Sequence, residues 1–265
     1  MDEHLIQSCR DLADDLADAA RVETLRYFRR AELSAENKET EGFDPVTQGD
    51  RAAEEVMRSI IETRRPKDGI LGEEFGTKPS QSGLTWVLDP IDGTRGYLAG
   101  TPTWGTLIAL HDGTTPVLGI IDQPYIGERF SGGWGQARMT GPHWDRALAV
   151  SDVTELGEAI ILSTFPEVGT PEEAAGFHRV ADQCKLTRYG MDCYGYALLA
   201  GGHVDLVIEA GLQSYDIQAP IAVIEAAGGI VTNWQGGPVD QGGQAVAAAT
   251  PQLHAEALRV LRGQR

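Results

Sequence analysis

Cysteine is scarce in this sequence, with Cys9, Cys184 and Cys193 as its three instances in 265 residues. Thiols so few and scattered exclude a disulfide framework or a zinc knuckle, and we expect buried, reduced side chains. Long apolar runs are also missing, since none approaches the roughly 20 residues of a membrane-spanning helix. The acidic N-terminus lacks the basic and apolar segments of a secretory signal. These absences predict a soluble, cytoplasmic protein with no membrane partner.

Basic residues are outnumbered. Lys and Arg total 22 against 39 Asp and Glu, which gives a formal net charge of −17 and a pI near 4.7. This excess of negative charge argues against nucleic acid or an anionic membrane surface as the partner. A small anionic substrate is still compatible with this negative charge if a metal ion lies between the substrate and the carboxylates of the protein. Apolar residues make up 42% of the chain, enough for a sizeable core.

The pattern of elements changes near the middle of the chain. A 3.6-residue apolar repeat over 5–20 predicts a long N-terminal helix, and Thr47 with Asp50 resembles a capping box that opens a second helix. Short β-type runs separated by Gly and Pro follow, and strands and helices alternate after about residue 140. We therefore predict an α+β metal-binding half, 1–140, and an α/β half, 141–265, that completes the metal and substrate site.

The stretch WVLDPIDGT ends an apolar strand in two aspartates, Asp89 and Asp92. Phosphatases of the haloacid-dehalogenase type carry Asp-x-Asp-Gly-Thr after a strand. Here the residue two before Asp92 is Pro90, which cannot act as a nucleophile, so that mechanism is excluded.

The same stretch suits a metal and a phosphate. Proline stiffens the step between Asp89 and Asp92, so both carboxylates and the Ile91 carbonyl can face one point. Oxygen ligands of this kind suit a hard divalent cation such as Mg²⁺. Gly93 and Thr94 follow at a helix start, where backbone N–H groups can bind a phosphate oxygen. An aspartate that merely caps the helix would explain one acid but not both.

Three further segments bring acids to the ends of regular elements. They contribute, in chain order, Asp44, Asp50, Glu73, Glu74 and Asp216. Each acid has a structural alternative, either as a solvent-exposed loop residue or as a helix cap. Taken together, the four segments favour one acidic site that binds metal and phosphate.

These motifs resemble the inositol monophosphatase-like family of magnesium-dependent phosphatases over essentially the whole chain. The resemblance rests on GILGEE, WVLDPIDGT, DPVTQGD and SYDIQAP with the later EAAGG. Within the family the sequence is most similar to the histidinol-phosphatases, through GTPTWGTLIAL, RYGMDCYGYALLAGGHVDLVIEAGL and YDI. The resemblance implies an α+β fold, the layered α-β-α-β-α sandwich of the inositol monophosphatase and fructose-1,6-bisphosphatase type, usually as a homodimer.

The resemblance also implies two or three Mg²⁺ ions per active site. Glu73, Asp89 and the Ile91 carbonyl would hold one ion. Asp89 would share a second ion with Asp92 and Asp216, and Glu73 could help a third. A metal-activated water would then attack phosphorus directly and in line, with no phosphoenzyme.

Catalytic and phosphate-binding roles follow from the same resemblance. The Thr94 hydroxyl relaying to Asp50 would accept the proton of the attacking water, with Glu73 as a third catalytic residue. Gly93 and Thr94 would bind the phosphate. Lys38 could also touch phosphate, and a solvent-exposed loop lysine is the alternative.

Substrate choice is expected to rest on the second half of the chain. Glu209 matches a glutamate that meets substrate hydroxyls in the inositol enzymes, and Asp192 stands where those enzymes carry a small neutral residue. Two acids beyond the metal ligands suit a cationic substrate with an ammonium group and an imidazole, although Asp192 could instead cap a helix. Arg188 resembles a position near the ligand, where it would bind phosphate or pair with an acid.

The sequence therefore predicts Mg²⁺-dependent hydrolysis of the small phosphorylated substrate L-histidinol phosphate to L-histidinol, in histidine biosynthesis. The alternative within the class is an inositol monophosphatase or a broader sugar-phosphate phosphatase. Bisphosphatases would need more basic residues than Arg188 and Lys38. A non-catalytic ligand-binding member would have lost acidic ligands that this chain keeps.

Met191 replaces a glycine that is usual in the family and would crowd the pocket.

Overall fold

Two large β-sheets alternate with three layers of helices, and in the described part of the chain residues 35–37 and 45–47 pair as a separate two-stranded sheet. The computed structural model describes residues 1–30, 35–37 and 45–264. Its helices are α1 Glu3–Tyr27, α2 Gln48–Arg64, α3 Thr94–Ala99, α4 Pro171–Ala181, α5 Asp192–Ala200, α6 Ser214–Ala226 and α7 Pro251–Leu261. Its strands are β1 Ala35–Asn37, β2 Pro45–Thr47, β3 Gly69–Gly72, β4 Gly76–Lys78, β5 Thr85–Asp92, β6 Gly105–His111, β7 Pro116–Gln123, β8 Glu128–Gly133, β9 Gln136–Thr140, β10 Asp145–Ala147, β11 Ile160–Ser163, β12 Leu186–Tyr189, β13 Leu206–Leu212, β14 Ile230–Thr232 and β15 Gly243–Ala248.

The larger sheet runs in the order β10-β9-β8-β7-β6-β5-β3-β4. Its neighbouring strands are antiparallel except for β3 and β5, which are parallel. Helices α1 and α2 cover one face, where Leu12, Leu16 and Met57 pack in one cluster with Trp86 and Ile108. The apolar residues of both helices recur at helical spacing, so each helix buries a single stripe against the sheet.

The smaller sheet runs in the order β12-β11-β13-β15-β14. Strand β11 is parallel to β12 and β13, whereas β15 is antiparallel to both of its neighbours. Helices α4 and α7 cover the outer face, with Phe177, Val180 and Leu253 clustered against Ile208.

Helices α5 and α6 form the middle layer between the sheets. Ile217 of α6 lies in one buried cluster with Ile121 of the larger sheet and Val207 of the smaller one. The backbone of α6 comes so close to β7 that a Cβ added at Gly119 would lie 2.3 Å from the Ala219 carbonyl oxygen. Glycine is therefore required at this position by the close approach of the two backbones.

This order of layers confirms the predicted α-β-α-β-α sandwich. The long N-terminal helix is confirmed as α1, and Thr47 and Asp50 form the predicted capping box of α2. The larger sheet extends to Ala147 and the smaller begins at Ile160. The division into halves at residue 140 stays a prediction.

The predictions made from the few cysteines and from the lack of long apolar runs can also be compared with the structure. All three cysteines are free, with Cys9 and Cys193 buried and Cys184 half-buried. Among the residues that the structure describes, there is no helix whose length and apolar character would let it cross a bilayer.

Candidate active site

Strand β5 ends in a bulge that brings its two aspartates into one cavity. Asp89 pairs with Leu107 and Asp92 with Gly105, and the register of the β5–β6 ladder shifts between these pairs. Asp89 Oδ1 accepts a hydrogen bond of 3.1 Å from the Ile91 N–H. Because a bulge re-aims side chains at the end of a strand, both carboxylates line the same cavity.

A third aspartate comes from the other half of the chain. Asp216 lies in the first turn of α6, where its Oδ2 accepts the Gln213 N–H at 2.7 Å in a capping box. The three aspartates converge: each offers one carboxylate oxygen, and these oxygens of Asp89, Asp92 and Asp216 all lie within 4.8 Å of one another. Glu73, directly after β3, makes a side-chain hydrogen bond with Asp89. The structure thus brings together the four acids predicted as metal ligands.

Crowding shifts the protonation of these acids. Burial, followed by the charges of Glu73 and Asp92, raises the pKa of Asp89 well above its usual range. Burial, followed by the charges of Asp216 and Asp192, does the same to the pKa of Asp92. Burial raises the pKa of Asp216 to about 7. Carboxylates that repel one another in an oxygen-rich cluster would be stabilised by a cation, so the donor set fits a hard divalent metal ion.

Thr94 and Asp50, the residues predicted to accept the proton of the attacking water, are hydrogen-bonded to other partners. Thr94 Oγ1 donates a hydrogen bond of 3.0 Å to the Ile91 carbonyl. Asp50 Oδ2 accepts bonds from the Thr47 N–H at 2.8 Å and the Thr47 hydroxyl at 2.5 Å. Within the described part of the chain, no hydrogen bond joins Thr94 to Asp50. Burial raises the pKa of Asp50 to about 7, so this carboxyl can exchange a proton near neutral pH.

A cavity of 390 Å³ opens over the acidic cluster. The predicted site residues that line it are Glu73, Asp89, Ile91, Asp92, Gly93, Thr94, Asp192, Glu209 and Asp216. Asp50 is buried and does not line the cavity, although the charge of Glu73 contributes to its raised pKa.

Arg188 does not reach this cavity. It is exposed on β12, the edge strand of the smaller sheet, so the expectation that it meets the ligand is not supported within this chain. Met191 packs against the core and does not line the cavity either. The expected crowding of the cavity by Met191 is therefore not seen. Lys38 and Asp44 lie outside the described residues.

Asp192 reaches the cavity through an unusual backbone conformation. Its φ is +46°, in the left-handed region that non-glycine residues seldom adopt. Its Oδ2 accepts a hydrogen bond of 3.1 Å from Thr103 Oγ1. A Cβ added at Gly93 would lie 2.7 Å from the Asp192 Cγ, so the carboxylate is packed directly against the turn that starts α3. Burial raises the pKa of Asp192, and the charge of Arg95 opposes this shift.

Glu209 is buried and held by three donors. The Thr164 N–H and hydroxyl bind its Oε1 at 3.0 and 2.6 Å, and the Tyr196 hydroxyl lies 3.3 Å from Oε2. Burial raises the pKa of Glu209 to about 7, although the Thr164 hydroxyl favours the ionised form. The carboxylate is therefore fixed in orientation on the cavity wall.

Several cavity residues were missed by sequence analysis. They are Arg95, Thr164, Phe165, Cys193, Ala210, Gly211, Leu212, Gln213, Tyr196 and Tyr215. The position of Arg95, one residue after WVLDPIDGT, was a signal that could have identified it. Thr164 and Tyr196 act through tertiary hydrogen bonds to Glu209, for which the sequence carries no local signal.

The fold and the site define a class of protein. It is a layered α+β protein whose cavity collects carboxylates from both halves of the chain in an arrangement suited to a divalent cation. A profile of the Inositol monophosphatase family matches residues 6–264. The chain belongs to the inositol monophosphatase family.

Known relatives agree with this membership. The protein named "Bifunctional phosphatase IMPL2, chloroplastic" from Arabidopsis thaliana is 40% identical over 258 residues, which cover 93% of this chain and 72% of that protein. A histidinol-phosphatase from Streptomyces coelicolor is 37% identical over 94% of this chain and 95% of its own. The structure of an inositol monophosphatase from Zymomonas mobilis superposes with a TM-score of 0.86 at 38% identity, over 97% of this chain and 98% of that one. These matches confirm the predicted fold and the predicted enzyme class, the phosphoric monoester hydrolases.

Proposed function

We propose that this protein hydrolyses L-histidinol phosphate to L-histidinol and phosphate in a Mg²⁺-dependent reaction. The observation that carries the proposal is the pair of acids beyond the cation cluster, Asp192 and Glu209, which line the same cavity as the cluster. Carboxylates in these places suit a substrate with an ammonium group and an imidazole, both of which can be cationic. A relative named histidinol-phosphatase, similar over nearly the whole chain, supports the same substrate.

The metal-binding residues proposed are Glu73, Asp89, Asp92, Asp216 and the Ile91 carbonyl, for two or three Mg²⁺ ions. Their oxygen-only chemistry and the proximity of the three aspartates support this assignment. Bound Mg²⁺ would supply positive charge beside the phosphate oxygens and acidify a water for the attack on phosphorus.

The chain's own groups would divide the remaining tasks. Gly93 and Thr94 border the cavity where β5 turns into α3, and we assign their backbone N–H groups to the phosphate. Asp50 is the proposed final acceptor of the proton from water, since its pKa is near 7. Thr94 would relay that proton, which requires its hydroxyl to turn away from the Ile91 carbonyl. Glu73 would assist catalysis from its place in the acidic cluster.

The second candidate is a phosphatase of inositol phosphates or other sugar phosphates. Glu209 favours it as much as the first, because a buried carboxylate can accept hydrogen bonds from sugar hydroxyls as well as from an imidazole N–H. The similarity to an inositol monophosphatase structure at 38% identity supports the same reading. Asp192 distinguishes the two, because a further carboxylate beside the phosphate end suits a cation better than a neutral polyol.

The test is phosphate release from a substrate panel with and without Mg²⁺, compared as kcat/KM. The panel contains L-histidinol phosphate, myo-inositol 1-phosphate, fructose 1,6-bisphosphate and adenosine 3′,5′-bisphosphate. A strong preference for histidinol phosphate that falls in Asp192→Asn would support the proposal. A flat profile, or a preference for the inositol ester, would overturn it and leave the metal-site assignment standing.

We further propose a cytoplasmic homodimer. The edge strand β12 carries two exposed apolar side chains, Leu186 and Tyr189, which support a surface that a second copy covers. Light scattering of the purified protein would test this, and a monomer at micromolar concentration would contradict it.

A further inference from the structure

An exposed aromatic ring stands at the cavity wall. Phe165 follows β11 by two residues, and 45% of its surface is exposed. The other large apolar side chains that are exposed in the described part of the chain do not line this cavity. A half-exposed phenyl ring leaves apolar surface in water that a ligand could cover.

One face of this ring already holds a planar cation. The guanidinium carbon of Arg95 lies 5.1 Å from the centroid of the Phe165 ring. Arg95 belongs to α3 and also contributes to the electrostatics of Asp192. A flat cation over an aromatic face is attracted by the quadrupole of the ring, so the contact shows what kind of group this ring attracts.

The ring is also next to a fixed acceptor. Thr164, the residue before Phe165, binds Oε1 of Glu209 through both its N–H and its hydroxyl. The short segment after β11 therefore contributes an aromatic ring and, in the adjacent residue, the donors that fix a buried carboxylate, and all three residues line the cavity. A planar ring with N–H donors can use both groups at once, the face by stacking and the carboxylate by a hydrogen bond.

We infer that Phe165 is the specificity-determining stacking surface for the planar ring of the substrate, with Glu209 as acceptor for a ring N–H. This inference rests on the proposed function, because it assigns the imidazole of histidinol phosphate to that wall. Because the Arg95 guanidinium covers one face of the Phe165 ring, we assign the imidazole to the ring surface that it leaves exposed.

The test uses two substrates that differ only in the ring. L-Histidinol phosphate and L-alaninol phosphate share the ammonium group and the phosphate ester, so the ratio of their kcat/KM values measures the contribution of the imidazole. Phe165→Leu keeps an apolar side chain but removes the aromatic face. We expect the ratio to fall about fivefold in this variant, in the range of a cation–π contact, and to return to within about twofold of wild type in Phe165→Tyr.

A matched control is offered by Trp144, an exposed aromatic with the Arg146 guanidinium 5.5 Å from its ring centroid and no place in the cavity. Trp144→Leu should leave the substrate ratio unchanged. If wild type prefers histidinol phosphate and Phe165→Leu keeps the ratio, the stacking inference fails while the proposed function stands. If wild type prefers myo-inositol 1-phosphate over histidinol phosphate, the proposed function fails and takes this inference with it.

Discussion

The backbone N–H of Cys193 donates a hydrogen bond of 2.7 Å to Oδ2 of Asp92. This bond joins the two halves of the chain at the acidic cluster, since Asp92 ends β5 and Cys193 lies in the first turn of α5. One oxygen of Asp92 is therefore oriented by the half that carries the candidate substrate residues. The acidic cluster and the cavity are therefore built as one unit.

Asp92→Asn should abolish most Mg²⁺-dependent turnover while preserving the fold. The amide oxygen can still accept the Cys193 N–H, but the variant loses a negative charge that a divalent cation needs. Losing a residue that merely orients a metal ligand costs about 10- to 100-fold, so losing a ligand should lower kcat/KM by at least about 100-fold. Phosphate release as a function of Mg²⁺ concentration measures this effect. Turnover near the wild-type rate would contradict a cation site that uses Asp92.

The ion pairs around Arg129 predict a stability effect far from the site. The Arg129 guanidinium binds the fully buried Asp122 at 2.8 Å, and also Asp18 at 2.6 Å and Asp14 at 3.1 Å, which ties β8 to β7 and α1. Arg129→Met would leave Asp122 with Arg21 as its remaining ion-pair partner within the described residues. We expect unfolding free energy to fall by about 3 kcal/mol, at the lower end for a broken buried pair.

Urea unfolding measures this loss, and the variant Arg138→Met, measured in the same way, is the control. Arg138 pairs with Asp145, and both side chains are largely exposed, so this second variant should unfold like wild type. Equal stability of the two variants would show that burial does not strengthen the Arg129 network.

The order of elements and the acidic cluster were predictable from the sequence. Asp216 is more than a hundred positions away from Asp89 and Asp92, yet all three lie at or near the end of a regular element whose place in the layers follows from its apolar pattern. Side chains at such ends converge when the elements pack side by side. This is why the cluster could be inferred before its geometry was known.

Orientation within the site was not predictable. Arg188 lies on an edge strand, where successive side chains point to opposite faces, and sequence alone does not fix the direction. The Thr94 hydroxyl donates to the Ile91 carbonyl, an acceptor that only the folded bulge brings within reach. The left-handed φ of Asp192 likewise has no local signal in the sequence, and its carboxylate accepts a hydrogen bond from Thr103 and lies against Gly93.

The raised pKa values predict opposite effects of pH on the metal-free and the Mg²⁺-bound protein. Asp50, Glu209 and Asp216 titrate near 7 when folded without metal, against ordinary values near 4, so the folded state holds protons that the unfolded chain releases in between. Their contribution to stability is present below about pH 4 and is lost as the pH rises through about 7. The melting temperature without metal should therefore fall between about pH 5 and pH 8.

Mg²⁺ should oppose this trend, since the metal would bind the ionised carboxylate of Asp216 and compete with its proton. The rise in melting temperature caused by saturating Mg²⁺ is expected to grow over the same pH interval at constant ionic strength. Asp216→Asn should show a smaller rise at every pH. A Mg²⁺ effect independent of pH would contradict the assignment of Asp216 to the metal site.

Gly93 and Gly76 provide a matched pair for separating backbone strain from displacement of Asp192. Both have positive φ, +84° and +67°, but an added Cβ meets Asp192 Cγ at 2.7 Å in the first case and nothing within 4 Å in the second. An alanine in the left-handed region costs about 1–2 kcal/mol, so Gly93→Ala and Gly76→Ala should both lose unfolding free energy of that order. Gly93→Ala alone should also lower kcat/KM for histidinol phosphate, because the Asp192 carboxylate must move. Chemical unfolding and steady-state kinetics on both variants separate the two effects. If Gly76→Ala lost as much activity as Gly93→Ala, the loss would come from general destabilisation, and the contact between Gly93 and Asp192 would have no part in substrate choice.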